Sequence, residues 1–389
     1  MKILFTDQFA EPGGAQLCLE DVMAEAQARG WTTFLMRPGE GLPASIARYA
    51  SGGKSGRDVL AFAADTIRAA SAIRRLARKE RVDLVYANGP RVLPAVSLSG
   101  RPHVFHLHSA LATRYARAIA QHSLRNGAAR IFAASEFVAR PLLQMPCAPR
   151  VRVVYNGVAD QTFRGRSFSP DALTVGMLGR ISREKGHLDF VRAARGLAQL
   201  FPDLQFVIYG APLFSGDAYE AEVRRVASNV GIRFAGWTDD PSKALHEIDI
   251  LAVPSGPLES TPRVVIEALS AGTPVVAYPS GGIPELIRPG HTGILTAGTG
   301  SAALAQGILD LVIDRHLMRW ISLNGRREWE QRFTVERFAR EICDSLAEVA
   351  EASQQRNAFR ARGASARRWN QARPSRNSHS GFRGAAPGA

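Results

Sequence analysis

One stretch in the second half of the chain constrains the fold more than any other. The apolar run from Ile248 to Val253 is typical of a buried parallel strand. A polar loop follows this run, and then an amphipathic segment ends at Gly272, a residue type that commonly terminates helices. A second apolar run, Thr273 to Tyr278, comes directly after the glycine. This order predicts a βαβ unit, and therefore a parallel α/β sheet.

Two glutamates lie in this unit with seven residues between them, Glu259 in the loop and Glu267 in the helix. Open α/β sheets bind ligands at the carboxyl ends of their strands, so the loop should face a crevice. Thr261 and Pro262 suit the start of the helix, the first as an N-cap and the second in the first turn. Because a helix N-terminus attracts phosphate, we expect a ligand that carries both hydroxyl and phosphate groups.

A second motif follows another predicted strand, Leu173 to Leu178. Its sequence is Gly-Arg-Ile-Ser-Arg-Glu-Lys-Gly, from Gly179 to Gly186. Arg180 and Lys185 would lie between the end of the strand and the start of a helix. Two cations placed there would stabilise the negative charge that grows on a departing phosphate, and no metal would be needed. The chain contains no Asp-x-Asp motif, which agrees with a metal-free phosphate site.

Together these segments resemble the E-x7-E and Gly-Arg-x4-Lys-Gly motifs of family 4 retaining glycosyltransferases. The resemblance extends from Met1 to about residue 350 and is strongest from Gly179 to Glu285. It implies an α/β protein with the GT-B fold, in which two Rossmann-like, doubly wound parallel-sheet domains face a central crevice. The implied divisions are an acceptor-side domain 1–160, a linker 161–172, a nucleotide-sugar domain 173–332, a closing helix 333–353 and a disordered basic tail 354–389.

The resemblance also implies roles for single residues. Arg180 and Lys185 would hold the diphosphate, Glu259 the hydroxyls of the donor sugar, and Glu267 the ribose. No protein nucleophile is implied, since retention in this family is thought to proceed by substitution on one face of the sugar. Further contacts with the nucleotide-sugar would come from the remaining matched positions, Gly13, Gly14, Gly179, Gly236 and Thr261.

A histidine completes the implied site. His106 and His108 end a predicted strand and face the same way, because side chains alternate along a strand. His108 is the better match to a family histidine that closes over the donor sugar. The glycine pair Gly13-Gly14 allows the backbone to approach either a ligand or packed structure closely, and both interpretations stay open.

The chain departs from the family pattern after Glu259. Ser260, Thr261 and Pro262 stand where the family usually has Gly-Phe-Gly, and Arg263 comes next. Since proline has no backbone N–H, one donor is missing from a loop that often serves the sugar. No G-x-G-x-x-G motif occurs near the first strand and no metal-ligand spacing occurs elsewhere, so neither a dinucleotide cofactor nor a metal is expected.

Charge is distributed unevenly along the 389 residues, whose net charge is +14. Residues 1–160 carry 21 Lys and Arg against 12 Asp and Glu, whereas residues 161–354 carry 20 against 23. Residues 355–389 carry eight arginines and no acid. The excess indicates either an anionic partner for the first half or a solubilising face. The helix predicted from about Asp58 to Glu80, with Arg74, Arg75, Arg78 and Lys79, would lie on anionic lipid or pack on the sheet.

The expected location follows from what the sequence lacks. No apolar run approaches the roughly 18–20 residues that span a bilayer, and no secretory signal opens the chain. Cys18, Cys147 and Cys343 are scattered, which suits a reducing compartment. We therefore expect a cytoplasmic protein, or one that lies peripherally on the inner face of a membrane.

The leading functional hypothesis is a retaining, metal-independent glycosyltransferase. It would move a sugar from a UDP- or GDP-sugar to a glycan, lipid-linked or cell-envelope acceptor, with no cofactor. Two alternatives stay open: a sugar-nucleotide epimerase of the same fold, and a non-catalytic glycosyltransferase-like binding protein. The arginine-rich tail allows some affinity for RNA, although no specific nucleic-acid partner is expected. The sequence does not define the oligomeric state.

Overall fold

A computed structural model describes residues 1–371 apart from residues 12, 49–55, 126, 164, 166–172 and 214–216. Its first half forms a seven-stranded sheet in the order β3-β2-β1-β4-β5-β6-β7, in which neighbouring strands run parallel. The strands are β1 (Lys2–Asp7), β2 (Thr32–Pro38), β3 (Gly41–Leu42), β4 (Leu84–Asn88), β5 (His103–Leu107), β6 (Ala128–Ala133) and β7 (Val151–Val153). The helices are α1 (Gly14–Ala28), α2 (Gly56–Lys79), α3 (Leu93–Leu98), α4 (Arg114–Leu124) and α5 (Glu136–Leu143).

The second half forms a six-stranded sheet in the order β10-β9-β8-β11-β12-β13, also parallel. Its strands are β8 (Thr174–Leu178), β9 (Gln205–Tyr209), β10 (Ile232–Gly236), β11 (Ile250–Val253), β12 (Val275–Ala277) and β13 (Ile294–Leu295). Its helices are α6 (His187–Leu200), α7 (Asp217–Ala227), α8 (Pro241–Glu247), α9 (Arg263–Ala271), α10 (Ser301–Ile313) and α11 (Arg315–Arg332), and α12 (Val335–Gln371) ends the described chain.

The central strands explain why the sequence selects this architecture. Every residue of β4, β5 and β11 is buried. A strand that is buried on both faces needs helices on both sides of its sheet, which parallel crossover connections supply. The predicted α/β class with two doubly wound sheets is therefore confirmed.

The βαβ unit of β11, α9 and β12 forms as the sequence predicts, and Gly272 ends α9 with a left-handed φ of 71°. The start of the helix differs from the prediction. Pro262 precedes the first helical residue, and Thr261 does not cap α9. Instead, the Thr261 hydroxyl donates to the Ala134 carbonyl in the first half of the chain, at 2.6 Å. The N-cap prediction is wrong because α9 begins one residue later than predicted, which puts Pro262 in the N-cap position.

Helix α12 returns to the first sheet. Phe338, Ile342 and Leu346 are fully buried in a core shared with β1 and β4. Arg29 Nη1 lies 2.7 Å from Asp344 Oδ1, and Arg130 Nη2 lies 3.0 Å from Glu348 Oε2. The last helix therefore ties the end of the chain to the sheet formed by its beginning.

The same helix corrects one expectation. Disorder was predicted from residue 354, but α12 continues to Gln371. Alanine, arginine and glutamine, which are frequent in this segment, all have high helix propensity, and this outweighs the lack of aliphatic residues. Residues 372–389 and most of the predicted linker, 164 and 166–172, lie outside the described residues.

Hydrogen bonds join the two sheets across the crevice. The Glu285 carboxylate accepts from the backbone amides of Glu136 and Phe137, each at 2.7 Å. These amides open α5, so a carboxylate from the second half of the chain occupies the positive end of a helix in the first half. The Ser260 hydroxyl also donates to the backbone carbonyl of His108.

Candidate active site at the interdomain crevice

The candidate site residues come from strand ends that face each other. Asp7 and Asn88 end β1 and β4, and His108 directly follows β5. From the second sheet, Arg180 follows β8, and the loop with Glu259 follows β11. Since the loop after β11 contacts His108 through Ser260, the carboxyl edges of both sheets border one crevice.

The two predicted phosphate ligands follow β8. Lys185 ends a short 3-10 turn, Arg183–Lys185, that precedes α6. Its Nζ atom lies 2.6 Å from Glu259 Oε2. Arg180 lies nearby in sequence and pairs more loosely with Glu184, at 3.7 Å. The structure thus brings Lys185 and Glu259 into direct contact.

Close backbone packing fixes the loop that carries Glu259. Gly281 has a left-handed φ of 58°, and a Cβ atom there would lie 1.8 Å from the Glu259 carbonyl oxygen. The amide of Gly282 donates to that same carbonyl at 2.9 Å. On the other side, the Gly256 amide donates to the Glu184 carbonyl at 2.7 Å, which joins this loop to the turn after β8. A side chain at position 281 would push the loop away.

Glu267, the predicted ribose ligand, is buried and pairs with Arg263. Arg263 Nε lies 3.6 Å from Glu267 Oε1, one helical turn away. Arg263 Nη1 also lies 3.3 Å from Asp21 Oδ2 and donates to the Gly157 carbonyl at 3.1 Å. Burial raises the pKa of Glu267, and the charge of Arg263 opposes this rise. The arginine that departs from the family pattern therefore joins α9 to α1.

His108 lies in a row of polar groups beneath the crevice. Its Nε2 is 2.8 Å from Asn88 Oδ1, and the ring centroids of His106 and His108 are 3.8 Å apart. Burial, together with the smaller effect of the charge of Arg263, lowers the pKa of His108 to about 3. Tyr86 Oη lies 2.5 Å from His106 Nδ1. Burial also lowers the pKa of His106, which lies in the core, so both imidazoles are uncharged at neutral pH.

The matched glycines lie at three places. Gly13 precedes α1, and Gly14 begins it. A Cβ atom on Gly14 would lie 3.5 Å from Arg263 Cδ, so Gly14 packs against the arginine of the opposite domain. Gly179 follows β8, whereas Gly236 ends the edge strand β10, two strands away from β8 in the sheet.

Four residues of the crevice were not predicted as site residues: Asp7, Asn88, Arg263 and Glu285. Asp7 ends β1 and Asn88 ends β4, and a position at the end of an apolar run is the signal that could have found them. Burial raises the pKa of Asp7, while hydrogen bonds from Gln16, the backbone and Asn88 oppose this rise. Sequence alone does not reveal the contact of Glu285 with α5, because it spans the two domains.

Within the described ranges, no three His, Cys, Asp or Glu side chains cluster in the way that a metal site requires. None of the helices in the described part of the chain combines the length and apolar character needed to cross a bilayer.

Curated relatives match parts of the chain. A D-inositol 3-phosphate glycosyltransferase of Streptomyces bingchenggensis is 31% identical over 256 residues, which are 60% of this chain and 56% of that protein. A phosphatidyl-myo-inositol mannosyltransferase of Mycobacterium leprae is 32% identical over 166 residues, which are 40% of this chain and 43% of that protein. The chain thus spans about half the length of the curated relatives it matches.

Solved structures match more of the chain. Anabaena HepE in complex with UDP-glucose is 26% identical, with a TM-score of 0.73, covering 90% of this chain and 100% of that chain. Sucrose-phosphate synthase from Thermosynechococcus elongatus is 19% identical, with a TM-score of 0.74 and the same coverage, and it supports the fold alone.

Family models cover both halves of the molecule. The model described as Glycosyltransferase Family 4 matches residues 12–162, and the model described as Glycosyl transferases group 1 matches residues 172–314. Arg180, Lys185, Glu259 and Glu267 all lie within the second range. The fold, the crevice and these matches together show that the chain belongs to the family 4 glycosyltransferases.

Proposed function

We propose that this protein is a retaining, metal-independent glycosyltransferase that takes a sugar from a UDP- or GDP-sugar. The observation that carries the proposal is the contact between Lys185 and Glu259 at the carboxyl edge of the second sheet. A cation suited to a diphosphate and a carboxylate suited to sugar hydroxyls are thereby placed side by side. The complex of Anabaena HepE with UDP-glucose supports a uridine nucleotide as the first candidate.

The donor would occupy the crevice in a defined order of groups. Glu267 would bind the ribose, Arg180 and Lys185 the diphosphate, and Glu259 the sugar hydroxyls. Lys185 is paired with Glu259. Donor binding would therefore break this ion pair, and the ammonium group of Lys185 would contact the phosphate instead. His108 would complete the sugar site from the first domain, across the contact that Ser260 makes with its backbone.

The reaction would need no protein nucleophile. The bond between the anomeric carbon and the phosphate oxygen would break while the acceptor oxygen bonds to the same face of the sugar. The acceptor proton would pass to the leaving phosphate, so the products are the glycosylated acceptor and a nucleoside diphosphate. Arg180 and Lys185 would stabilise the charge that grows on the leaving group.

The acceptor would be a glycan, a lipid-linked molecule or a cell-envelope precursor. The names of the curated relatives, which include glycosyltransferases of inositol phosphate and of phosphatidyl-myo-inositol, support this class. The charge of residues 1–160, which contain 21 basic and 12 acidic side chains, also supports this class. An anionic acceptor or an anionic membrane surface would suit such a domain.

The outward face of α2 would be the membrane contact. Leu60 and Ile67 are 72% and 62% exposed, and the exposed Arg75 and Arg78 lie on the same face of the helix. Arg74 is a poorer candidate than the sequence suggests, because its guanidinium donates to the carbonyls of Leu98 and Ser99 at the end of α3. Basic side chains near an anionic surface contribute about 1 kcal/mol each.

Co-sedimentation with anionic liposomes at low salt tests this contact. The double substitution Arg75→Glu and Arg78→Glu should reduce binding. Arg319→Glu with Arg327→Glu makes the same change of charge on exposed residues of α11 and should reduce it much less. Both variants are made in a chain that ends near residue 353, because the arginine tail could bind the liposomes by itself. Equal binding by the two variants would contradict the role of α2, and a truncated chain that ignores the liposomes would favour a soluble sugar or small metabolite as the acceptor.

A thermal-shift screen of UDP, GDP, ADP and their sugars tests donor binding. A ligand that binds only the folded state raises its stability by roughly 2.7 kcal/mol at a hundredfold excess over the dissociation constant. Turnover should survive EDTA, whereas complete loss with rescue by magnesium or manganese would contradict metal independence. An isomerised sugar nucleotide without any acceptor product would favour the epimerase instead.

A further inference from the structure

Three polar residues form a hydrogen-bonded line across neighbouring strands of the first sheet. His108 Nε2 lies 2.8 Å from Asn88 Oδ1, and Asn88 Nδ2 donates to the Ala15 carbonyl at 3.3 Å. The Asn88 amide is also a hydrogen-bond donor to Asp7, whose carboxylate accepts from Gln16 at 2.9 and 3.1 Å. Asn88 is 1% exposed and Asp7 is 3% exposed, so water does not compete for these groups.

The surroundings of Asn88 determine which way its amide faces. Both groups on its nitrogen side, the Ala15 carbonyl and the Asp7 carboxylate, are acceptors. A flipped amide would place its oxygen against two other oxygens, which burial makes costly. The Asn88 oxygen therefore faces His108. An oxygen can only accept, so the proton of the His108 ring lies on Nε2.

The other ring nitrogen of His108 is left as an acceptor. Among the described residues, Nδ1 has no hydrogen-bond partner and is shielded from solvent. His106 covers one face of the ring, and Arg263 is the charged group that acts on it electrostatically. A buried acceptor without a donor is unfavourable, so a hydroxyl from a ligand would be stabilising here.

We infer that Asn88 is a positioning residue that holds His108 in its Nε2–H form, so that Nδ1 accepts a hydrogen bond from a substrate hydroxyl. Asn88 itself does not touch the substrate and acts only through the imidazole. The inference rests on the proposed function, because the substrate of a glycosyltransferase supplies that hydroxyl. It adds a requirement that the family motifs do not contain: the strand-end residue of β4 sets the hydrogen-bonding character of the residue after β5.

The first test determines which nitrogen of the His108 ring carries the proton in the full chain. Nitrogen-15 NMR of labelled histidine distinguishes a protonated from an unprotonated ring nitrogen, and the signals lost in His108→Gln assign His108 among the nine histidines. We expect Nε2 to be protonated and Nδ1 unprotonated between pH 6 and pH 8. Protonation of Nδ1 instead would overturn the inference without any variant of Asn88.

The second test is the substitution Asn88→Leu, which keeps the size of the side chain and removes both amide groups. We expect loss of the single ring form and a roughly tenfold lower kcat/KM, with unchanged affinity for the bare nucleoside diphosphate. Asn324→Leu is the matched control, since Asn324 is a buried asparagine of α11 that donates within its own helix. It should change neither measurement.

The outcomes separate this inference from the proposed function. Wild-type kcat/KM in Asn88→Leu, or the same single ring form in that variant, would overturn the role of Asn88. Failure of the proposed function would instead appear in the wild-type protein, as the absence of both donor binding and sugar transfer.

Discussion

Lys185 and Glu259 form an ion pair between two loops that follow neighbouring strands, β8 and β11, with 2.6 Å between Nζ and Oε2. Their side chains are 22% and 15% exposed, so the pair is largely shielded from water. In the proposed reaction the two groups serve different parts of the donor. The ion pair therefore holds both loops in place until a diphosphate replaces Glu259 as the partner of Lys185.

This relationship predicts different effects for the two glutamates. Glu259→Gln removes the competitor for Lys185, so affinity for a bare nucleoside diphosphate should stay the same or rise while turnover falls. Glu267→Gln should weaken the binding of the nucleotide itself, because Glu267 would bind the ribose. Calorimetry with the diphosphate and a transfer assay measure the two quantities. Equal losses of diphosphate affinity in both variants would contradict this division of roles.

Arg263 is predicted to stabilise the closed arrangement of the two domains. Arg263→Met leaves the buried Glu267 and the half-buried Asp21 without their cation, which should cost about 3 kcal/mol at pH 7. The pKa of Glu267, already raised by burial, should rise further in this variant. A raised carboxyl pKa means that stability is lost as the pH rises, so the deficit should be smaller at pH 5 than at pH 7.

Urea unfolding of Arg263→Met at the two pH values measures this deficit. The control is Arg319→Met, which changes an exposed arginine and should stay within about 0.5 kcal/mol of the wild type. A deficit for Arg263→Met that is no larger than that of the control, or that grows on acidification, would contradict the role of Arg263.

His187 predicts a loss of stability in acid. It is 1% exposed, its ring lies edge-on to Tyr219, and burial lowers its pKa to about 4. Since the unfolded value is about 6.5, the unfolded chain takes up a proton that the folded chain refuses. The contribution of His187 is therefore present at pH 7 and is lost as the pH falls, by about 2 kcal/mol between pH 7 and pH 5.

Urea unfolding of wild type and His187→Leu at pH 7 and pH 5 isolates this effect. The two proteins share all their other titratable groups, so the contributions of those groups cancel in the comparison. His187→Leu should lose less stability on acidification than the wild type. The same loss in both proteins would show that His187 is protonated in the folded state.

The sequence predicts those parts of the site whose chemistry is local. Arg180, Lys185 and Glu259 lie in the polar segments that follow apolar runs, and an apolar run followed by polar residues marks a strand end. Asn88 and Asp7 also end strands, but their role depends on β4 lying between β1 and β5, and this order is a property of the sheet. The hydrogen bonds of Thr261 to Ala134 and of Arg74 to the end of α3 could not be predicted, because these partners are distant in sequence.

The central claim is that the loop after β8 binds the phosphates of a nucleotide-sugar. Calorimetric titration of wild type, Arg180→Ala, Lys185→Ala and the surface control Arg192→Ala with UDP and GDP tests it most directly. The account predicts that one diphosphate binds the wild type and the control equally. It also predicts that loss of either Arg180 or Lys185 weakens this binding by about 1.5–3 kcal/mol, or roughly 10- to 150-fold. Unchanged affinity in both variants would contradict the account.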